Sequence, residues 1–511
     1  MTAAASQTQS LTSRVCWLTL AKTAGFAFSL ALPLLLVRRM DPQQYGLYKQ
    51  VFLIVTTAMV VLPFGFQMSA YYFLPLQPER QREIVAHIML FNTAVGVLAF
   101  LALFCYPPLL CIVFGGTELV SYAPWIGLTM LFWITGAFLE TVPIAHQEIH
   151  AGAVIIVGIQ LSRAVVFVTA AACCGTVRAL ICAAILHGII QTGVLLFYLE
   201  SRFPGFWRSF DLPTLRAQLS YAGPLGAAGL LLIAETDFHS YFVAHRFSPA
   251  VFAVYMVGTF QLPFIGLLQE ASNSVLISRI SVLQQRNERR AIVLLSARAA
   301  RKLASIFFPL YAFLFVVGRE VIDVLFTAQY SKSWPIFAVN LTLLPLNAIL
   351  LDPLFRAYQS ERLFLLRLRV GLVGALMIAL SLSTRQLGLI GVISLVIAAG
   401  VLERVVAAIH FGKLLGITRR EISLIRDFGK LALASASAAL AAEAVRRLSG
   451  AATPLVVLLA SGAAFSALYL SVLHLLRFLS NQEIVQIRET VGRYFPRPFR
   501  LELHRAGRGI N

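Results

Sequence analysis

Long apolar runs, separated by short polar stretches, alternate along almost the whole chain. A helix needs about 20 apolar residues to cross a bilayer, and irregular backbone cannot face lipid. The pattern therefore predicts about fourteen transmembrane helices joined by short connections, with no sizeable soluble domain. They lie near residues 15–37, 43–74, 84–106, 119–145, 150–173, 177–199, 216–243, 249–278, 299–318, 334–356, 363–384, 387–412, 428–448 and 453–476.

The composition agrees with an all-α polytopic membrane protein. Of the 511 residues, 59% are hydrophobic and 13% are charged, and the mean hydropathy is +0.80. Soluble domains carry about 25% charged residues. The net charge of +19 would suggest nucleic acid in a soluble chain, but these basic residues collect in short loops and in the C-terminal tail. We therefore expect no nucleic-acid partner.

Basic residues are distributed unevenly between the two sets of loops. The richer set includes Arg208, Arg289 and Arg420, and the basic tail lies on the same side. Because Lys and Arg are enriched in cytoplasmic loops, we expect both termini to be cytoplasmic. The turn that contains Arg39 is then expected to lie outside, against the charge bias.

A repeated turn divides the chain. The segment RMDPQQYGLY, which begins at Arg39, and the segment RFSPAVFAVY, which begins at Arg246, share an arginine, a proline and a final tyrosine. Asp41 and Ser248 are good helix N-caps, and the proline that follows each suits the first position of a helix. Each segment therefore predicts the turn between two helices. Chance similarity between apolar sequences is the alternative.

Six predicted helices separate the two turns, so both turns emerge on the same face. This predicts two parallel six-helix lobes, related by an axis along the membrane normal. The N-lobe comprises residues 1–212, with helices 1–6, and the C-lobe comprises residues 213–418, with helices 7–12. Two extra helices and a basic amphipathic tail make up residues 419–511.

The turn R-x-D-P-x-x-Y-G-L-Y, followed by a helix that closes in FLP (Phe73–Pro75), resembles polysaccharide transporters. These are the O-antigen and exopolysaccharide flippases of the multidrug/oligosaccharidyl-lipid/polysaccharide exporter superfamily. The resemblance in helix number and layout extends over nearly the whole chain. It implies a flippase that moves an undecaprenyl-pyrophosphate-linked glycan through a central cavity between two lobes, while the lipid tail stays in the bilayer.

The same resemblance implies the surroundings of the protein. It implies a multi-pass protein of the bacterial cytoplasmic (inner) membrane that serves the biosynthesis of lipopolysaccharide or exopolysaccharide. Lipid-linked oligosaccharide and membrane lipids are the partners that it implies, together with the polymerase or ligase machinery.

Charged residues within apolar helices are costly, so each is a candidate functional residue. We expect Lys22 and Arg163 to face the cavity, where their cationic heads suit a pyrophosphate or an acidic sugar. Glu140 is a third candidate for the substrate cavity. Glu403 and Arg404 are adjacent and point in different directions, so we expect them to be partly buried and partly snorkelling.

Helix 7 carries two further candidates, Glu235 and Asp237. They could hold a proton or a cation that couples transport to a gradient. Alternatively, together with Asp41, they could bridge Arg39 and Arg246 at the outer mouth and act as a gate. Contact of both arginines with outer-leaflet phosphates is the simpler alternative.

Other charged residues have local explanations. Asp352 and Arg356 are four residues apart, and Glu443 and Arg446 are three apart, so both pairs are predicted to be surface ion pairs. The segments VLPFGF in helix 2, YAGPLGAAG in helix 7 and FQLPFIG in helix 8 predict kinks.

No phosphate-binding G-x-x-x-x-G-K-[ST] loop and no H-E-x-x-H zinc motif occurs in the sequence, so we expect no cofactor and no metal. A cation-coupled multidrug antiporter of the same superfamily is the main alternative to a flippase. A membrane glycosyltransferase or polymerase is less favoured, because every predicted outer loop is short.

Overall fold

The structure is a computed structural model that describes residues 31–358, 361–382, 387–417, 426–450, 452–476 and 478. These residues form helices and connecting turns, with no strand among them. Most of the first predicted helix, with Lys22, and the predicted amphipathic tail lie outside the described residues. The described end of that first helix, residues 31–39, is helical and is named α1.

Further helices follow α1 through both predicted lobes. In the N-lobe they are α2 (Pro42–Val61), α3 (Ser69–Leu76), α4 (Gln81–Cys105), α5 (Leu109–Phe114), α6 (Ala123–Gly136), α7 (Val142–Ala145), α8 (Ile149–Cys173) and α9 (Val177–Arg202). In the C-lobe they are α10 (Leu212–Thr236), α11 (Phe238–Arg246), α12 (Pro249–Gly258), α13 (Pro263–Gln285), α14 (Arg289–Phe326), α15 (Trp334–Leu341), α16 (Asp352–Ala357), α17 (Arg362–Leu382) and α18 (Leu389–Leu414). The last two are α19 (Arg426–Leu448) and α20 (Pro454–Leu475).

In the described part of the chain, ten helices are long and apolar enough to span a membrane. Three bent helix pairs raise the number to thirteen if each pair is one span. The all-α polytopic prediction is therefore confirmed, whereas the count of fourteen is not.

The three bent pairs only partly match the predicted kinks. The segments around α2 and α3, and α12 and α13, bend by 48° close to Pro63 and Pro263, as the sequence predicts. The bend of 47° between the segments of α15 and α16 was not predicted. Helix α10 instead continues through Pro224, so the kink segment of helix 7 does not interrupt it.

The repeated turns start α2 and α12 as predicted. The Asp41 carboxylate accepts the backbone N–H of Gln44 at 2.8 Å, and the Ser248 hydroxyl accepts that of Val251 at 3.5 Å. A proline follows each cap, at the first helical position, where its missing N–H leaves no hydrogen bond unmade. We call the face of the molecule that bears both turns the turn face.

The two lobes pack closely at the turn face, where α2 crosses α12. The side-chain oxygen of Gln43 accepts the backbone N–H of Ala250 at 3.2 Å, and these two residues are 207 positions apart. Gly46 permits this approach, because a Cβ at that position would overlap the carbonyl oxygen of Pro249. Equivalent positions of the repeat therefore meet between the lobes.

The apolar cores show where the two lobes are joined. The largest core includes Tyr45 and Val51 of α2 together with Phe252 and Tyr255 of α12, so it crosses both lobes. Two smaller cores are separate from it. One consists of N-lobe residues around Phe66 and Phe203 with Ala222 of α10, and the other consists of C-lobe residues around Leu276 and Phe411.

The first half of α10 packs on the N-lobe, although the predicted lobe boundary precedes it. The Gln218 side chain lies 2.9 Å from His87 Nδ1 and donates to the Ser69 hydroxyl at 3.2 Å. All three side chains are buried. The division of the chain into domains at residue 212 stays a prediction. In the structure, α10 packs against helices of both lobes.

Helices α19 and α20 pack against α14 and against each other. The predicted pair of Glu443 and Arg446 is confirmed at 3.1 Å, and Arg446 also contacts Glu320 of α14 at 2.7 Å. This ion-pair group attaches α19 to the C-lobe.

Candidate functional site

Four charged side chains from three helices converge within the C-lobe. Arg369 of α17 lies between two carboxylates, with its Nε 2.9 Å from Glu403 of α18 and 3.9 Å from Glu235 of α10. The Arg369 side chain is 33% exposed, and those of Glu235 and Glu403 are 31% and 16% exposed. Because both carboxylates share one cation, the position of α10 is tied electrostatically to α17 and α18.

Arg404, the fourth of these side chains, is held by neutral groups. Its guanidinium donates to the Asn347 side-chain oxygen at 2.6 Å and to the Gly400 carbonyl at 3.1 Å. Asn347 lies in a short 3-10 turn at the bend between α15 and α16. Glu403 and Arg404, which we expected to be partly snorkelling, both line a cavity.

That cavity has a volume of about 430 Å³. Glu235, Asp237 and Glu403 line it together with Arg369 and Arg404. A smaller cavity of about 220 Å³ shares four of these residues and adds ten others, among them Gln269, Asn273, Asn347 and Asp352. We call the two together the C-lobe cavity. In the larger part, three carboxylates face two guanidinium groups, which gives an acidic excess.

Asp237 is placed by the junction of two helices. It lies between the end of α10 and the start of α11. His239, near the start of α11, hydrogen-bonds through Nδ1 to the hydroxyl of Tyr255 at 2.8 Å. Asp237 and His239 both line the larger part of the C-lobe cavity.

The interior of the N-lobe instead presents a cation over aromatic rings. Arg163 of α8 lies 5.1 Å from the ring centroid of Trp133 and 5.9 Å from that of Phe167. Its Nε is buried without a hydrogen-bond partner among the described residues. Glu140, which follows α6, is exposed and forms no ion pair with Arg163 in that part of the chain.

Lys49 of α2 is a second half-buried cation of the N-lobe. Its Nζ lies 5.4 Å from the ring centroid of Tyr45 and 5.8 Å from that of Tyr48. The Tyr48 ring contacts Phe52, which in turn contacts Trp133 beneath Arg163. We call Lys49, Arg163 and these rings the N-lobe cation cluster.

Two of these cations were missed by the sequence reasoning. Arg369 lies within an apolar helix, and this is the signal that singled out the other candidates. Lys49 lies within the predicted helix near residues 43–74 and was not singled out there. By contrast, the predicted pair of Asp352 and Arg356 is confirmed at 3.2 Å.

Arg39 and Arg246 lie on the turn face and are exposed. Arg246 packs over the Phe242 ring at 5.4 Å. Neither arginine forms an ion pair with Asp41, Glu235 or Asp237 among the described residues; their role as a gate stays a prediction.

The described residues contain no group of three His, Cys, Asp or Glu side chains that could hold a metal. The charged sites resemble those of a transport pathway, in which ionisable groups face an internal cavity.

Comparisons with known proteins agree with this architecture. A family described as "Polysaccharide biosynthesis protein" matches residues 35–335. No curated protein sequence matches the chain. Among solved structures, the lipid II flippase MurJ in an inward closed conformation aligns with 89% of this chain and 97% of its own, at 14% identity and a TM-score of 0.68.

MATE transporters have the same fold. An inward-facing MATE-family transporter of the MOP superfamily aligns with 79% of this chain and 96% of its own, at 15% identity and a TM-score of 0.56. A point mutant of the Vibrio cholerae MATE transporter VcmN aligns with 83% of this chain and 100% of its own, at 14% identity and a TM-score of 0.52.

Proposed function

Because the chain belongs to the polysaccharide biosynthesis protein family and has the fold of the MurJ and MATE transporters, we propose that it is a flippase. Its cargo is a lipid-linked oligosaccharide of the undecaprenyl-pyrophosphate type, which it moves across the bacterial cytoplasmic membrane for the synthesis of a surface polysaccharide. Both termini face the cytoplasm, and the turn face is the outer one.

The observation that carries this proposal is the N-lobe cation cluster. A buried guanidinium nitrogen without a partner is unfavourable unless another group satisfies it. A pyrophosphate or an acidic sugar supplies such acceptors, and arginine binds phosphate oxygens in a bidentate manner. The Tyr48 and Trp133 rings beside Lys49 and Arg163 are buried, so they serve to position the two cations.

Transport occurs by alternating access of the two lobes. The apolar core joins the lobes across α2 and α12, while the separate N-lobe and C-lobe cores can move apart. Glu235 and Asp237 couple this movement to a proton or cation gradient, because the C-lobe cavity has an acidic excess. Membrane lipids surround the protein, and a polymerase or ligase receives the glycan.

A cation-coupled multidrug antiporter is the second candidate. The same acidic excess of the C-lobe cavity favours it, because carboxylates attract a cationic drug as well as a coupling ion. The N-lobe cation cluster opposes it. A catalytic role as a glycosyltransferase or polymerase has less support, because the charged groups lie inside the two lobes.

A deletion strain tests the proposal. Lipid-linked oligosaccharide should accumulate on the inner leaflet, and the surface polysaccharide should disappear. Restoring the gene with Arg163→Ala should reduce export about tenfold or more, the cost of a lost charged hydrogen bond. Arg178→Ala, at an exposed position of α9, is the matched control and should restore export. Normal polysaccharide with increased drug sensitivity in the deletion strain would instead favour the antiporter.

A further inference from the structure

Arg38, at the end of α1, reaches across the turn face to the C-lobe. Its Nη1 donates to the carbonyl oxygen of Leu325 at 2.9 Å, and its Nη2 donates to that of Val324 at 2.7 Å. Both carbonyls belong to the last turn of α14. In the same region, the Gln329 side-chain amide donates to the Val37 carbonyl at 3.0 Å. Three hydrogen bonds thus connect the end of α1 to the end of α14 and the residues that follow it.

The same arrangement recurs with the lobes exchanged. His245, at the end of α11, precedes the repeated arginine of its turn as Arg38 does in the first turn. Its Nδ1 lies 3.3 Å from the carbonyl oxygen of Val113, in the last turn of the N-lobe helix α5. Gly115 ends α5 in the left-handed region, at φ 70°, and a Cβ there would overlap the His245 backbone. Two equivalent residues therefore reach across to the opposite lobe.

The chemistry of helix ends explains both contacts. Carbonyl groups in the last turn of a helix have no partner within the helix and carry partial negative charge. A guanidinium can satisfy two such carbonyls at once. Arg38 is exposed, so water can replace these acceptors when the helices separate. The contact is therefore reversible, as an interface that opens and closes requires.

We propose that Arg38 and His245 are a pseudo-symmetric pair of latches that hold the turn face closed by capping α14 and α5 across the lobe interface. Opening the turn face separates α1 from α14 and α11 from α5, so both caps break in one movement. Arg38 contributes more, because it makes two hydrogen bonds across the interface and His245 makes one. The latch also explains why a basic residue lies on the turn face, although the distribution of Lys and Arg between the loops disfavours basic residues there.

This latch differs from the gate that the sequence predicts, in which carboxylates bridge Arg39 and Arg246. The partners here are backbone carbonyls of helix ends. The proposal requires that the lobes part at the turn face, and it does not depend on which cargo is carried.

Crosslinking of paired cysteines across the repeat tests the latch. Gln43→Cys and Ala250→Cys are introduced together after the six native cysteines are replaced. A short bis-maleimide, which forms a thioether with each cysteine, then reports the closed turn face on the purified protein. Adding Arg38→Ala should shift the equilibrium between closed and open turn faces about tenfold towards the open state, which corresponds to about 1.4 kcal/mol of lost stabilisation, and should thereby slow crosslinking. His245→Ala should shift the same equilibrium about threefold.

A second readout uses the cavity. Gln261 lines the C-lobe cavity, and Gln261→Cys should react faster with a membrane-impermeant maleimide when Arg38→Ala is present. Arg178→Ala, at an exposed position of α9, is the control and should change neither rate. Arg38→Lys keeps the charge but loses the two-pronged contact, so it should give an intermediate rate and remain informative if the alanine variant folds poorly.

Equal crosslinking rates for Arg38→Ala, Arg38→Lys and the parent, with unchanged labelling at position 261, would overturn the latch. Because no glycan is present in this assay, that result would leave the flippase proposal untouched. Conversely, a deletion strain that accumulates no glycan would contradict the flippase proposal but not the latch.

Discussion

Replacing Arg369 with alanine should destabilise the C-lobe by leaving two carboxylates without their shared cation. Glu403 lies 2.9 Å and Glu235 lies 3.9 Å from the Arg369 Nε. After the substitution, the two carboxylates remain in one cavity with Asp237 and repel each other. The helices that carry them, α10 and α18, should then pack less stably.

The size of this effect follows from distance and burial. Unit charges about 4 Å apart attract by about 4 kcal/mol at an effective dielectric constant of about 20. Desolvation and partial exposure offset most of this energy, because the Arg369 and Glu235 side chains are 33% and 31% exposed. We therefore expect Arg369→Ala to cost about 1–2 kcal/mol, since removing one partner also leaves uncompensated charge.

Thermal unfolding in detergent measures this cost through a double-mutant comparison. Arg369→Ala should lower the unfolding temperature, and adding Glu403→Gln should restore more than half of the loss, because the second substitution removes the uncompensated carboxylate. Arg367→Ala is the matched control, since this arginine is exposed on the same helix. A double variant that is no more stable than Arg369→Ala would refute the electrostatic explanation.

Three further predictions concern other regions. Gly46→Ala should lower the free energy of unfolding by about 1–3 kcal/mol, because the added methyl group forces α2 away from α12. Gly193→Ala is the control and should be tolerated, because a Cβ at that position meets open space. Equal effects of the two substitutions would contradict the close packing of α2 and α12. Lys49→Ala should reduce glycan export without reducing the amount of protein in the membrane, and unchanged export would exclude Lys49 from the substrate path. Hydrogen bonds from Thr214, followed by the charge of Arg80, hold the pKa of Asp211 below its ordinary 3.8. Because a lowered folded-state pKa stabilises the fold above the ordinary pKa, Asp211→Ala should cost stability at neutral pH. That difference should shrink as the pH falls below about 4, and a constant difference in unfolding temperature would contradict the linkage.

The sequence predicts features that depend on neighbouring residues along the chain. Asp41 and Ser248 are the N-caps that their positions before proline indicate. The pairs Asp352–Arg356 and Glu443–Arg446 form because the spacing of helical residues places them side by side. Apolar runs locate the spans for the same local reason.

The charge group of the C-lobe depends on contacts that local pattern does not encode. Arg369 contacts Glu235 across a large separation in sequence. Asn347 contacts Arg404 at the bend between α15 and α16, which the sequence did not predict. Of the adjacent basic residues at the repeated turn, Arg38 reaches α14. Which of the two crosses the interface depends on the rotation of α1 about its axis.

The packing of α10 constrains any movement between the lobes. Near its start, Gln218 is hydrogen-bonded to His87 and Ser69 of the N-lobe, whereas near its end Glu235 contacts Arg369 of the C-lobe. One helix is therefore attached to both lobes. If the lobes rotate apart, α10 must either release one attachment or bend between them.

Pro224 lies between the two attachments and lacks the N–H that would complete the helical hydrogen bond, so bending costs least there. The buried Gln218 contacts would cost more to break, since three polar side chains would lose their partners. Bending of α10 near Pro224 is thus the less costly response to movement of the C-lobe.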